Sequence, residues 1–254
     1  MAFQTPYFNH EVFHESLIGK FKRGGFTASY VCKDVFMEKI KYAIFDLDGT
    51  LTDSMHIWDT CGGAYLMMRG ITPHAGETFR TRGYREGISY MIEEYNLPLT
   101  YDELLAEIMK ILEFYYYNIA EAKDGVAEFL EKMQKNGTKM CIISATNEYL
   151  VDAALKRNGL RQYFSRIYST TDVGIHKDSP VIFNMARDFL GAENNSDVFV
   201  FEDALYSIKT SKAAGYRTVA IEDYSDEPDR ETLKATADYY IKDYSEIYGI
   251  FDLN

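Results

Sequence analysis

Short runs of apolar residues punctuate the chain at 42–45, 139–144, 166–169, 198–201 and 217–221, with a weaker run at 237–241. Runs of this kind are seen in strands buried on both faces of a sheet. Between them, apolar positions recur with helical spacing over 125–135, 148–158, 180–190 and 204–214. Gly137, Gly159, Gly191 and Gly215 fall just after the helical stretches, where a C-terminal cap is expected. Strands alternating with helices of this length predict βα units and a parallel sheet.

One segment breaks the alternation. Residues 54–123 hold amphipathic helical stretches and no convincing strand. Thr100-Tyr101-Asp102-Glu103 is a capping-box signature, and Leu104, Leu105, Ile108, Met109 and Leu112 follow at three- and four-residue spacings. The pattern predicts an all-helical insert directly after the first strand, with the aromatic cluster at 114–117 packing between insert and core. Residues 1–36 carry no sustained period, only scattered aromatics, a Lys20-Phe21-Lys22-Arg23 cluster and a Gly24-Gly25 break. The expected organisation is an N-terminal extension over 1–36, an α/β core over 37–53 and 124–254, and a helical cap over 54–123.

Charge narrows the range of partners. The 254 residues include 27 Lys plus Arg against 39 Asp plus Glu, a formal charge of −12. That balance argues against binding to a nucleic-acid backbone or an anionic membrane surface. A phosphorylated substrate stays compatible where a metal or local lysine and arginine offset the repulsion. Cys32, Cys61 and Cys141 are odd in number and have no C-x-x-C spacing, which points to buried thiols in a reducing compartment. No stretch approaches the roughly 18 apolar residues of a membrane span, and the N-terminal segment lacks the apolar centre of a secretory signal. A cytoplasmic protein, monomeric or weakly dimeric, is expected.

The candidate chemistry gathers at strand ends. The first strand runs into Phe45-Asp46-Leu47-Asp48-Gly49-Thr50-Leu51-Thr52-Asp53-Ser54. Two carboxylates at the carboxyl end of a buried strand are costly unless paired or metal-bound, and the ligand crevice of open α/β sheets lies at that edge. With average residue usage, D-x-D-G-T arises by chance in on the order of one chain in a few hundred. The second strand ends in Ser144-Ala145-Thr146-Asn147 before a helix, which supplies a hydroxyl and free backbone N–H groups for an anion. Lys177, in Gly174-Ile175-His176-Lys177, follows the third strand, and Glu202-Asp203 closes the fourth.

On these residues the chain resembles the haloacid dehalogenase superfamily, in its β-phosphoglucomutase-like and phosphoglycolate-phosphatase-like branch. FDLDGTLTDS looks like the first motif of that family, CIISATN the second, the lysine of GIHKDSP the third, and FVFEDALYSIKTSKAAG the fourth. The resemblance spans about residues 39 to 245 and places a helical cap between the first two motifs, as in that branch. It implies a Rossmann-like parallel sheet, and Asp46 as a nucleophile that forms an aspartyl-phosphate. Asp48 becomes the general acid/base. Mg²⁺ would be held by Asp46, the carbonyl of Asp48 and Asp203, with Glu202 in support. Leu47, Ser144, Ala145, Lys177 and, from the cap, Arg85 would contact phosphate or substrate. The chemistry agrees with this assignment. A carboxylate approaching an anionic phosphate needs a hard cation and a lysine beside it, and a covalent intermediate divides phosphoryl transfer into two easier steps.

Departures from the family pattern sharpen the reading. Asp48 disfavours dehalogenases and phosphonate-cleaving relatives, which lack an acid at that position. Sugar phosphomutases of this branch carry a histidine where this chain has Trp58, although His56 lies two residues away. Thr50 is also the commoner residue in phosphatases. Arg80 and Arg82 add basic character to the cap, and Asp53 shapes the flap after the first strand. The leading reading is a Mg²⁺-dependent phosphatase of small phosphorylated metabolites. A sugar phosphomutase is the rival. A non-catalytic binding module is the alternative of another class, and it should have lost at least one of Asp46, Asp48, Lys177 or Asp203.

Overall fold

The computed structural model describes residues 38–74, 79 and 83–253. The expected extension over 1–36, with Cys32, and the cap residues Arg80 and Arg82 lie outside them. Six parallel strands form one sheet: β1 (Tyr42–Phe45), β2 (Lys139–Ser144), β3 (Ile167–Ser169), β4 (Val198–Glu202), β5 (Arg217–Ile221) and β6 (Tyr239–Ile241). Their spatial order is β3-β2-β1-β4-β5-β6. The apolar runs are continuous because both faces of the sheet are covered. On β1, Ala43 and Phe45 enter one core beside Phe129, Val151 and Phe201, while Ile44 enters another beside Ile143, Ile182 and Phe183. Phe45 stacks on Phe201 at 4.4 Å between ring centroids and meets Phe129 and Phe164 edge-on. Successive residues pointing to opposite faces, all apolar, remove the alternation that a one-sided sheet would show.

Between β1 and β2 the chain forms α1 (Met55–Met68), α2 (Gly83–Glu94), α3 (Tyr101–Asn118) and α4 (Val126–Lys135). The first three form the helical cap inserted into the Rossmann-like core. Thr100 makes the predicted capping box at the start of α3: its hydroxyl accepts from the Glu103 N–H, and the Glu103 carboxylate accepts from the Thr100 N–H. The aromatic cluster in α3 divides. Tyr115 and Tyr116 are buried, whereas Phe114 and Tyr117 are exposed, because helical geometry cannot turn four consecutive side chains to one face. The two linkers to the cap run side by side, joined by Asp53 N–H to Glu121 O and Lys123 N–H to Leu51 O.

After β2 come α5 (Glu148–Arg157), then α6 (Thr170–Val173) following β3, α7 (Pro180–Leu190), α8 (Leu205–Ala213) following β4, and α9 (Arg230–Thr236). Ser179 caps α7 by accepting from the Val181 N–H, with Pro180 in its first turn. That start places Lys177 just before the helix. The sheet order reverses direction beside β1, since β2 and β3 lie on one side and β4 to β6 on the other. A crevice opens at such a switch point, at the carboxyl ends of the strands.

Candidate active site

Asp46 follows β1, and its N–H still donates to Phe201 O at 3.0 Å, so the sheet itself fixes its backbone. The chain then turns tightly: the N–H groups of Leu51 and Thr52 and the Thr52 hydroxyl all donate to Leu47 O. Gly49 is required here twice over. Its φ of +84° lies in the left-handed region, and a Cβ on it would come within 2.3 Å of Asp203 Oδ2.

The turn brings Asp46 against the end of β4. Carboxylate oxygens of Asp46, Glu202 and Asp203, all buried, lie within 4.8 Å of one another. The Lys177 ammonium, also buried, donates to Asp46 Oδ1 at 2.5 Å and to Glu202 Oε1 at 2.6 Å. Glu202 Oε2 accepts from the N–H groups of Asp203 at 2.7 Å and Ala204 at 3.1 Å. Glu202 is therefore held by the lysine and by backbone N–H groups, while the Asp203 carboxylate accepts from the Thr50 hydroxyl at 3.3 Å.

The electrostatics follow from that imbalance. Burial pushes Asp46 up to about 8 despite the opposing charge of Lys177. Burial also holds Asp203 well above the ordinary carboxylate range, helped by the charges of Glu202 and Asp46. Glu202 differs: burial raises it, but Lys177 and its N–H donors outweigh that and leave it below its usual value. Lys177 lies above the ordinary lysine value, because the attraction of Asp46 and Glu202 exceeds the penalty of burial. Three buried carboxylates facing one ammonium leave an excess of negative charge. An all-oxygen set with that deficit fits a hard divalent cation.

Asp48 stands apart from this cluster. Its Oδ1 accepts from the hydroxyls of Ser54 at 2.5 Å and Tyr116 at 2.6 Å, and its Oδ2 accepts from the Thr146 hydroxyl at 2.7 Å. The Tyr116 ring in turn packs tilted against that of Trp58, 6.5 Å between centroids. Burial raises Asp48 above its ordinary value, and the three hydroxyls partly offset the shift. One carboxyl is thus held jointly by the loop after β1, by α3 of the cap and by the loop after β2.

The other expected residues divide by position. Ala145 and Arg85 face the same cavity as Asp46, Asp48, Lys177, Glu202 and Asp203, a space of about 1060 Å³. Ser144 is fully buried beneath Ala145, and its hydroxyl accepts from the Thr146 N–H at 3.1 Å. Leu47 is buried in the turn. Trp58 faces the cavity, but His56 does not. The His56 ring is exposed and meets Tyr115 edge-on at 5.2 Å. Tyr116, Ser54 and Thr146 are the residues that motif reasoning passed over. Ser54 and Thr146 sit inside the quoted motifs as hydroxyls near the acids, which is a usable signal, whereas Tyr116 carries none beyond its helical face.

With these residues arranged at one sheet edge, the comparison with known proteins is direct. A family model described as haloacid dehalogenase-like hydrolase matches residues 43–221, from within β1 to the end of β5, and the chain belongs to that family. It is 28% identical over 214 residues to the validoxylamine A 7′-phosphate phosphatase of Streptomyces hygroscopicus subsp. limoneus, covering 82% of this chain and 95% of that protein. It is 29% identical over 138 residues to the (S)-2-haloacid dehalogenase 4A of Burkholderia cepacia, covering 54% of this chain and 58% of that one. The crystal structure of CbbY from Rhodobacter sphaeroides in complex with phosphate shares the fold with a TM-score of 0.68 at 19% identity, over 83% of this chain and 99% of that one. Among the described residues no helix is long and apolar enough to cross a membrane.

Proposed function

We propose that the chain is a Mg²⁺-dependent phosphatase that hydrolyses small phosphomonoesters through an aspartyl-phosphate on Asp46. The observation that carries this reading is Asp48: a second carboxyl two residues from the nucleophile, outside the acidic cluster and held by hydroxyls alone. A dehalogenase has no leaving alkoxide to protonate and no use for such an acid. In the first step Asp46 attacks phosphorus while Asp48 gives its proton to the leaving oxygen. In the second, Asp48 takes a proton from water as that water attacks phosphorus and the Asp46 carboxylate departs. Lys177 offsets charge on Asp46 and on the arriving phosphoryl group, and the Ala145 amide holds its oxygens, on a loop that the buried Ser144 hydroxyl fixes through the Thr146 N–H. Arg85 contributes from the cap, which closes over the reaction and excludes bulk water.

Asp46 and Asp203, with the carbonyl of Asp48, would hold Mg²⁺, and Glu202 would orient them through its bonds to Lys177 and the Asp203 N–H. The bound ion supplies charge neutralisation between carboxylate and phosphate. Trp58, in place of the mutase histidine, faces the cavity and offers no base there, and His56 faces away from it. Both observations favour water over a sugar hydroxyl as the final acceptor. The test is product analysis with hexose phosphates and Mg²⁺: inorganic phosphate is expected, and an isomerised sugar phosphate in its place contradicts the reading.

The raised Asp46 makes cation binding proton-linked. Folded and cation-free, Asp46 retains a proton between its ordinary 3.8 and about 8, where the unfolded chain has lost it. This group therefore lowers stability as pH rises through that interval. Mg²⁺ displaces the proton, so the rise in Tm it produces should be larger near pH ~8 than near pH ~5.5. Equal rises at both, measured by thermal unfolding, contradict the proposed ligand set.

The proposed domain division is the extension at 1–36, the core at 37–53 and 124–254, and the cap at 54–123. A chain beginning at Met37 should fold and release phosphate in a metal-dependent way, since every residue of the proposed site lies after it. A well-folded but inactive product of that truncation would move the boundary and make the extension part of the site.

A further inference from the structure

The phosphatase reading leaves the size and chemistry of the cavity unexplained. A phosphoryl group and its ligands fill only the floor, where Asp46, Lys177 and Asp203 lie. Around the floor, beside polar residues such as Thr171 and His176, the lining carries a set of large apolar and aromatic side chains: Met55, Trp58 and Phe79 from the cap, Leu205 and Tyr206 from α8.

Two features show that these walls are built rather than incidental. Tyr206 lies in the first turn of α8 and is 51% exposed, while its hydroxyl is close enough to feel the charges of Lys177, Glu202 and Asp46. A large ring left half bare beside the reaction centre is a surface for something to cover it. On the cap side, Phe79 is 3% exposed and its N–H donates to Trp58 O at 2.9 Å. Its ring fits a slot between two glycines. A Cβ on Gly87 would come within 2.1 Å of the ring, and one on Gly62 within 3.3 Å. Any side chain at Gly87 displaces the ring, so the helices α1 and α2 hold Phe79 in place.

Charge at the rim offers no basic excess to select a second anionic group, because Arg85 and Lys209 are met there by Glu86, Asp226 and Asp229. Apolar contact is what distinguishes this cavity. Inorganic pyrophosphate or a short-chain phosphate would leave the walls in contact with water, and a planar ring would cover them. Building on the phosphatase reading, we propose that the substrate is a phosphomonoester whose leaving group carries a planar ring, received between Tyr206 of the core and the Trp58–Phe79 wall of the cap. Tyr206 is then the specificity-determining residue.

Uridine 5′-monophosphate and ribose 5-phosphate test this directly, because they share the reacting primary phosphoester and differ in the ring. Stacking of a base on aromatic side chains is worth about 1–3 kcal/mol, or very roughly 5- to 150-fold. The kcat/KM for uridine 5′-monophosphate should exceed that for ribose 5-phosphate by at least ~10-fold. Tyr206→Ala should lower this ratio several-fold, and Tyr206→Phe should keep it. Release of phosphate from both at equal efficiency overturns the ring proposal and leaves the phosphatase reading standing. Failure to hydrolyse either compound, or acetyl phosphate, overturns the phosphatase reading instead. Binding then decides the ring proposal alone. Trp58 is the single tryptophan of the chain, so its fluorescence reports the wall. Uridine 5′-monophosphate should quench it at a half-saturating concentration at least ~10-fold below that of ribose 5-phosphate, and equal concentrations or no quenching overturn the proposal.

Discussion

Asp46→Asn should remove turnover by on the order of 10⁴-fold or more, the scale on which removing a covalent nucleophile acts. The amide keeps the shape of the carboxylate and cannot attack phosphorus. Loss of fold is not the expected cause. Asp46 is one of two buried acids that share Lys177, and the lysine keeps Glu202 at 2.6 Å when Asp46 is neutralised. The cation-free fold must keep Asp46 protonated where the unfolded chain has lost that proton, and asparagine carries no such penalty, so the cation-free variant should melt no lower than the parent. Acid-quenched reactions of the parent should carry phosphate on Asp46, and those of the variant none. Residual turnover above about one part in a hundred, with the fold intact, would mean that another group attacks phosphorus.

Asp48→Asn should lower turnover of alkyl phosphates by about 10²- to 10⁴-fold, the usual range for a positioned acid/base, for a different reason. The Asp48 carboxylate lies outside the acidic cluster, so the rise in Tm with Mg²⁺ should persist, unlike in Asp46→Asn. An activated leaving group such as that of acetyl phosphate departs without a proton, so the first step survives with it. The second step still needs a base for water. The aspartyl-phosphate should therefore accumulate in Asp48→Asn with acetyl phosphate, and its absence contradicts the assigned role. Tyr116→Phe removes one of three hydroxyls on the same carboxyl. A fall of about tenfold in kcat is expected, which is ~1.4 kcal/mol, the scale of a single buried hydrogen bond.

The strands were legible because a sheet covered on both faces writes itself as continuous apolar runs. The predicted bounds agree with β1, β2 and β5, and miss β4 by one residue because Glu202 is a charged strand end. Cap helices were legible from spacing, as at Thr100 and Glu103. The acids, Lys177 and the strand-end hydroxyl could be named because each follows a recognisable strand, and parallel strands bring their ends to one edge. What spacing could not give is contact between elements distant in sequence. Helical periodicity turns Tyr116 inward, yet says nothing about its partner 68 positions away, Asp48. The same limit hid the slot made for Phe79 by Gly62 and Gly87, since neither glycine needs an unusual backbone conformation and only the packed ring reveals the reason for them.

The central claim is that water attacks phosphorus on Asp46 with the help of Asp48. It is tested most directly by a single turnover of a hexose phosphate with Mg²⁺ in ¹⁸O-labelled water, reading both the phosphate and the Asp46 carboxylate by mass spectrometry. The account predicts one labelled oxygen in the released inorganic phosphate and none in Asp46. Label in the Asp46 carboxylate, the sign of attack at carbon as in carbon–halogen cleavage, or an unlabelled isomerised sugar phosphate, would contradict it.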